Sequence, residues 1–457
     1  MNLVISRPYL SRYFLCTQKR LFAQVSNPSS IKEPVVLTEN FKNKRTMILN
    51  RPHQLNSFTN TMLDIMFPHL KAWEQSDNID MIILKGRGRA FSSGGDLKFI
   101  ASSVEDPSNS KDFNYFIDTF YDMIHFIGTM QTPIISFMDG ITMGGGCSFS
   151  ALSHFGVATE NTKMAMPETR FGHFCDGGSN FFLSRLNGNL GKYIALCAQT
   201  VVAEDVLYEE ICSFKFSGLA THFVPSIQLE YLQDSLLWLE NPRVDTINNT
   251  IEKFAVKPNH IPSSSDLLGE NRKIIDECFR FNTIGKILKA LEKEGSKFSL
   301  QAIDSICQGS PIGVTLTLEQ LNKSSRLSLG QCLRMEHQAW QISAYQPDFQ
   351  EGIMSTMIKK KPPQWSRQSF SQVDLEKDIL LKYFQTNMRE LVFFSQDRDC
   401  YSTKQCREYG LPSEKEVRIA KIHNNLKSDK DVVSWFINKR NNKFGVRQEV
   451  EEIVSRI

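Results

Sequence analysis

Little in this chain points to a metal centre, a membrane span or a disulfide framework. The ten cysteines among 457 residues include no C-x-x-C pair and no Cys/His cluster at metal-ligand spacing, so neither a zinc site nor a disulfide scaffold is predicted. Scattered thiols of this kind suit the reducing interior of a cell. No apolar run approaches the ~18 residues that a bilayer span needs. Charge is nearly balanced, 53 Lys and Arg against 50 Asp and Glu, and a net +3 does not by itself argue for nucleic acid. Internal repeats and low-complexity tracts are missing as well. With 41% apolar and 23% charged residues, the length allows one large or two ordinary domains with a full core.

One absence is local. No Asp or Glu precedes Glu33, while Arg7, Arg12, Lys19 and Arg20 are interleaved with Leu3, Ile5, Tyr9, Leu10, Phe14, Leu21 and Phe22. A basic, acid-free, amphipathic start is the pattern of a mitochondrial transit peptide, whereas Arg12 breaks the unbroken apolar core of a secretory signal. Residues 1–33 are therefore expected to be a transit segment, and the mature protein is expected in the mitochondrial matrix.

Beyond it, residues 34–240 alternate between strand and helix signals. Arg45 to Leu49, Met81 to Leu84 and Pro133 to Phe137 are β-branched, apolar runs. Thr59 to Trp73 and Phe113 to Met130 carry apolar side chains at helical spacing. Strand, helix, strand again implies parallel pairing with right-handed crossovers, an α/β class built of βαβ units. Residues 241–368 read as mainly helical, with 3.6-residue periods over Ile274 to Glu294, Phe298 to Gln308, Val314 to Asn322 and Leu333 to Ala344. These helices are expected to cover the α/β layer or the face of a homo-oligomer. Residues 369–457 form a charged extension, with Lys439, Arg440 and Lys443 beside Trp435 and Phe436. It reads as a solvated helical extension or, more sharply, as a docking surface for an RNA-bearing partner.

The chemistry concentrates between Met138 and Asp176. Strand, the glycine cluster Gly144-Gly145-Gly146, then a helix start is the order that leaves backbone N–H groups aimed outward at the positive end of a helix dipole. Such a turn suits a phosphate or an oxyanion. Glu168 and Asp176 follow it as candidate acid/base groups. They lie eight positions apart, too far for one helix face, so a turn through Gly172 must bring them together. A strand-to-helix junction decorated with surface acids is the competing reading of the same residues.

Several motifs, in order, resemble one family. They are Leu49-Asn50-Arg51-Pro52 with Leu55-Asn56, Ala90 to Leu97 (AFSSGGDL), Asp139 to Gly146 (DGITMGGG), Ala158-Thr159-Glu160, Met166 to Thr169 (MPET), Gly218 to His222, Ser310-Pro311, Asp348 to Gly352 and Pro363-Gln364-Trp365. Together they resemble the crotonase (enoyl-CoA hydratase/isomerase) superfamily over about residues 35–370. GITMGGG and the long helical region point to its 3-hydroxyisobutyryl-CoA hydrolase branch. The resemblance implies a ββα superhelix with a C-terminal helical region, an acyl-CoA thioester as substrate, and no cofactor beyond the coenzyme A that the substrate carries. By the same resemblance the backbone amides of Ser93 and Gly145 would form the oxyanion hole, and Glu168 would act as base or nucleophile. Asp176 would position the substrate 3-hydroxyl or the water. Asn56, Gly94, Gly95, Asp96, Lys98, Gly144 and Phe120 would contact the substrate, Lys98 through a phosphate.

Three departures accompany the match. Phe120-Tyr121 stands where the branch carries Glu-Tyr, Phe174-Cys175-Asp176-Gly177-Gly178 where it carries Phe-Pro-Asp-Val-Gly, and Leu196-Cys197-Ala198 where it carries Leu-Thr-Gly. The second is expected to loosen the backbone behind Asp176. Glu204 to Phe216 looks rearranged. The segment Tyr409 to Val417 and the basic stretch after it resemble the tail of fungal mitochondrial members, some of which are also components of the small subunit of the mitochondrial ribosome. A thioester hydrolase, a ribosomal component with a drifting pocket and, more remotely, a hydratase or isomerase are the functions implied.

Overall fold

The computed structural model describes residues 33–105, 110–202, 219–255, 267, 269–384, 388–401, 409–443 and 445–456. The expected transit segment short of Glu33, and the stretch Glu204 to Phe216, lie outside them.

Strand β1 (Val36–Phe41) pairs antiparallel with β2 (Lys44–Leu49), and β2 runs parallel to β3 (Met81–Gly86). Helix α1 (Asn60–Glu74) makes that crossover, burying Met62, Leu63, Met66, Phe67, Leu70 and Trp73 on one face. The chain then repeats a pattern in which one long strand enters a first sheet and the next, short strand enters a second. Thus β4 (Ala90–Ser92) follows β3, β6 (Ile141–Met143) follows β5 (Ile134–Met138), and β8 (Lys163–Ala165) follows β7 (Phe155–Ala158). The first sheet has the order β1-β2-β3-β5-β7-β10, closing with β10 (His222–Phe223). The second has the order β4-β6-β8-β9, ending with β9 (Val201–Val202). The fold is the α/β ββα superhelix expected of the crotonase class. The three-residue strands of the second sheet are too short to leave a periodic signal.

The first sheet is covered on both faces. Met81, Ile83, Ile135, Phe137, Phe155 and Val157 belong to one buried cluster. Ile82, Leu84 and Ile134 join a larger one with α1 and helices α2 (Leu97–Glu105) and α3 (Ser110–Thr129). Parallel strands buried on both faces read as continuous apolar runs, which is why they were visible in sequence.

The helical region follows, with one correction. The single helix expected over Ile274 to Glu294 is two, Gly269–Cys278 and Ile284–Glu294. The break falls where Thr283 turns extended (φ −137°, ψ 142°). Its β-branch, and the burial of Phe279, favour a bend over a continued helix.

The charged extension is more than a solvated helix. Residues 388–401 lie along α3 and the helix Leu329–Ser343. There Phe393 stacks on His125 at 3.9 Å, and the Phe394 N–H donates to Asp122 at 2.8 Å. Three helices, Glu414–His423, Asp429–Lys439 and Val446–Arg456, then bury a small core of Val417, Val432, Val433, Phe436, Val446, Val450 and Ile453. A polar seam joins this bundle to the body: Asn187 donates to Glu449 (2.6 Å), and Arg456 reaches Asp276 (2.8 Å).

Gly172 ties the fold to the site. Its φ of +73° is left-handed, and a Cβ there would lie 1.9 Å from the Asp348 carbonyl oxygen. Gly295 shares the conformation (φ +75°), with only the Glu292 oxygen at 3.7 Å nearby. Gly172→Ala is expected to cost about 2–4 kcal/mol, strain and overpacking together. Gly295→Ala, with strain alone, should cost about 1 kcal/mol. Urea midpoints check the pair, and equal losses would contradict the close approach at Gly172.

Candidate active site

Two glycine turns meet backbone to backbone. β6 ends at Gly144 (φ 52°, ψ −129°), and helix α4 (Gly145–Ala151) starts at once. A Cβ on Gly146 would fall 2.5 Å from the Ser92 carbonyl oxygen, and one on Gly94 3.0 Å from the Gly145 nitrogen. Because Gly145 is the first helical residue, its N–H has no intrahelical acceptor. Among the described residues it meets none elsewhere.

The second candidate amide is not the expected one. The Ser93 N–H donates to the Leu55 carbonyl at 2.9 Å, so it is engaged and cannot serve an oxyanion. Gly95 forms a parallel bridge with Phe58, in which Phe58 N–H donates to Gly94 O (2.8 Å) and Asp96 N–H to Phe58 O (3.0 Å). That alternation turns the Gly95 amide away from Phe58, and among the described residues it finds no acceptor. Of the two amides it is therefore that of Gly95, not that of Ser93, that is left without an acceptor beside the glycine turn. Bridge parity, a tertiary fact, decides between them.

Ser93, Gly94, Gly95, Phe120, Gly144, Gly145, Glu168 and Asp176 all line one cavity of about 70 Å³. Three other predicted contacts do not. Asn56 is fully buried; its side chain accepts from the Arg51 N–H (2.8 Å) and donates to Ala90 O (2.7 Å) and Arg87 O (3.1 Å). Asp96 is paired with Arg51 at 3.0 Å and accepts from Ser57 Oγ at 3.3 Å. Both are structural clamps on the loops that carry Gly94 and Gly95. Lys98 is exposed on α2, away from the cavity lining.

Phe120 forms an apolar wall. Its ring stacks on Phe116 (5.6 Å, 7°), and its Cζ lies 2.2 Å from where a Cβ on Gly145 would stand. Where the hydrolase branch carries a carboxylate, this cavity therefore has a hydrocarbon surface against the helix start. Asp118 and Asp122 do not replace it: Asp118 meets His337 and Arg389, and Asp122 meets the Phe394 amide.

The two carboxylates come together through the predicted turn. A 3-10 turn, Glu168–Phe171, ends on left-handed Gly172. Glu168 is partly open to the cavity, yet its Oε2 is occluded and has no hydrogen-bond partner among the described residues. Burial, then the neighbouring Asp176, push its pKa well above the ordinary carboxylate range. Asp176 Oδ2 accepts from Tyr121 Oη at 2.9 Å and from Trp340 Nε1. Burial pushes Asp176 up to about 6, against the pull of those two bonds. His173 packs against Trp340 with ring centroids 3.9 Å apart and tilted by 49°, and bonds Ser343 through Nδ1; burial pushes it down to about 3, so it is neutral.

The Cys175–Gly178 backbone is not loose. Cys175 N–H donates to Thr317 Oγ1 (3.1 Å), Asn180 Nδ2 to Cys175 O (2.7 Å), and Gly178 N–H to Glu336 Oε2 (2.6 Å). Hydrogen bonds from distant helices do what a proline would do locally. Sequence reasoning missed Trp340 and Glu336. Their i, i+4 spacing on one helix face was the available signal, but nothing local ties that face to Asp176.

A carboxyl group whose folded pKa lies above its unfolded value, ~4 for Asp, binds its proton more tightly in the folded state. Its contribution is therefore favourable at low pH and is lost as pH rises from about 4 through 6. Asp176→Asn, isosteric and uncharged, should raise the melting temperature at pH 7.5, and the gain should vanish towards pH 4. A mutant less stable than wild type at pH 7.5 would contradict this account of Asp176.

The comparisons fit this geometry. The enoyl-CoA hydratase/isomerase family matches residues 44–384. Small ribosomal subunit protein mS47 of Neurospora crassa is 31% identical over 456 residues, covering 95% of this chain and 88% of that protein. Human mitochondrial 3-hydroxyisobutyryl-CoA hydrolase is 35% identical over 330 residues, covering 72% of this chain and 83% of that protein. Among solved structures, a carnitinyl-CoA dehydratase from Mycobacterium thermoresistibile is similar at TM-score 0.70 and 30% identity, covering 79% of this chain and 99% of that one. A fold of alternating sheets, two abutting glycine turns and a carboxylate facing them thus accompany a match over most of the sequence, and the chain belongs to the enoyl-CoA hydratase/isomerase (crotonase) family.

Proposed function

We propose that this chain hydrolyses a short 3-hydroxyacyl-CoA thioester, 3-hydroxyisobutyryl-CoA, in the mitochondrial matrix. The observation that carries the reading is the convergence of two amides without acceptors, Gly95 and Gly145, and the Glu168 carboxyl group on one narrow cavity. The thioester carbonyl oxygen accepts from the two amides, which match the negative charge that develops on it. Water attacks the carbonyl carbon and gives its proton to Glu168, whose raised pKa makes it a stronger base than a free glutamate. The tetrahedral intermediate collapses by breaking the C–S bond, and the departing sulfur takes the proton back from Glu168. The products are the free hydroxy acid and coenzyme A. Asp176, held by Tyr121 and Trp340, orients the 3-hydroxyl. The Phe120 wall limits the acyl group to a short, branched one.

A second reading concerns assembly: the chain is also a component of the small subunit of the mitochondrial ribosome. It is favoured by the likeness to the Neurospora ribosomal protein, which covers 95% of this chain, against 72% for the human hydrolase. It is favoured too by the C-terminal three-helix bundle with a core of its own. The two readings are compatible, since the bundle docks through Asn187 and Asp276, residues outside the cavity lining.

Thiol release from 3-hydroxyisobutyryl-CoA tests the first reading. Glu168→Gln should lower kcat by at least ~100-fold. Gly145→Ala should lower it comparably, because the added Cβ strikes the Phe120 ring and displaces the amide. Ser93→Ala should stay within about threefold of wild type, its amide being engaged elsewhere. Equal inertness of wild type and Glu168→Gln defeats the hydrolase reading. Sedimentation of mitochondrial extract tests the second, which fails if the protein runs wholly apart from small-subunit particles.

A further inference from the structure

Asp176 is held by a group that the proposed chemistry does not touch. Glu336, on the helix Leu329–Ser343, is fully buried and outside the cavity lining. Its Oε2 accepts from Gly178 N–H at 2.6 Å; its Oε1 accepts from Asn180 N–H at 3.2 Å and from Asn180 Nδ2 at 2.8 Å. No basic side chain pairs with it among the described residues. A buried carboxylate without a counter-ion is costly unless N–H donors replace the lost water. Here all the donors come from one short stretch, on the far side of Asp176 from Cys175. The same Asn180 amide reaches back to the Cys175 carbonyl at 2.7 Å. Glu336 and Asn180 thus bracket Asp176 on both sides.

We propose that Glu336 is a positioning residue: by gripping Gly178 and Asn180 it holds the Cys175–Asn180 backbone so that the Asp176 carboxylate stays between Tyr121 and Trp340, facing the acyl group. The proposal rests on the hydrolase reading for its kinetic arm alone. Facing Asp176 are Glu168, Cys175 and His173 from its own segment, Tyr121 from α3, and Trp340 and Glu336 from the Leu329–Ser343 helix. Cys147 of α4 lies beside Glu168, and His337 with Asp118 lies beyond Tyr121. Burial keeps the thiols and Tyr121 protonated and His173 neutral. Burial also pushes Glu336 up to about 8 and Glu168 well above the ordinary carboxylate range, so Asp176, at about 6, is the first of the three carboxyl groups to ionise as pH rises.

The test compares wild type, Glu336→Gln and Glu336→Asp by two readouts. The first is kcat and KM for 3-hydroxyisobutyryl-CoA. The second is the pH titration of Trp340 fluorescence in ligand-free protein, with Asp176→Asn as the blank. Gln presents an NH2 group to donors, so Glu336→Gln should lower kcat about 10–100-fold with KM within about threefold. Glu336→Asp, which keeps the carboxyl group on a shorter reach, should recover part of that loss. With the grip lost, Asp176 slips from the Tyr121 and Trp340 bonds that hold its pKa down, so the Trp340 transition in Glu336→Gln should move to higher pH and shrink in amplitude, whereas in Glu336→Asp it should stay near wild type. A kcat within twofold of wild type together with an unmoved transition in Glu336→Gln overturns the proposal. If wild type cleaves no thioester, the hydrolase reading falls and the fluorescence midpoint decides alone. If Glu336→Gln does not fold, a Glu336→Asp enzyme with wild-type kcat overturns it.

Discussion

The arrangement depends on one close approach. The turn after β4 and the turn after β6 touch through backbone atoms, with Gly146 against the Ser92 carbonyl and Gly94 against the Gly145 nitrogen. A side chain at either point would separate the turns by the width of a methyl group. The two amides would then no longer converge. This contact also fixes the second sheet, because β4 and β6 pair parallel beside it. Asn56 and Asp96 serve the same end from outside, locking the loop that carries Gly94 and Gly95 to Arg51, Ser57 and Ala90.

The carboxylate side is built by different means. Glu168 is placed by a short turn and the left-handed Gly172, a local device. Asp176 is placed by groups from three separate helices: Tyr121 from α3, Thr317 from Pro311–Ser324, and Trp340 with Glu336 from Leu329–Ser343. Function at Asp176 therefore rests on the helical region, which supplies much of the site's rigidity as well as a cover for the α/β layer. The loss of proline at position 175 is tolerable in such a frame, since hydrogen bonds to buried partners restrict the backbone in its place.

The site also shows why burial and reactivity go together. Glu168 and Asp176 are both moved towards the protonated form by desolvation. Groups so displaced lower the stability of the fold at neutral pH, and that is the usual condition of catalytic acids and bases. Phe120 contributes to the same dryness by setting hydrocarbon where the resemblance led to the expectation of a carboxylate.

Several features were legible in the residues alone. Apolar, β-branched runs announced the strands buried on both faces, helical periods announced α1, α3 and most of the later helices, and the glycine cluster announced the strand-to-helix turn at Gly144. Each of these signals is local, because propensity and periodicity act over one or two turns of chain. Which amide of the AFSSGGDL loop is free was decided by parallel-bridge parity with Phe58, more than thirty residues away in the sequence. That Asn56 and Asp96 clamp loops, that Cys175 does not loosen its backbone, and that Glu336 grips it are facts of packing between segments from 31 to 158 residues apart. Sequence by itself determined many of the residues that gather at the cavity. Only tertiary structure decided which atoms form it, since a hydrogen bond between distant segments has no trace in the local order of residues.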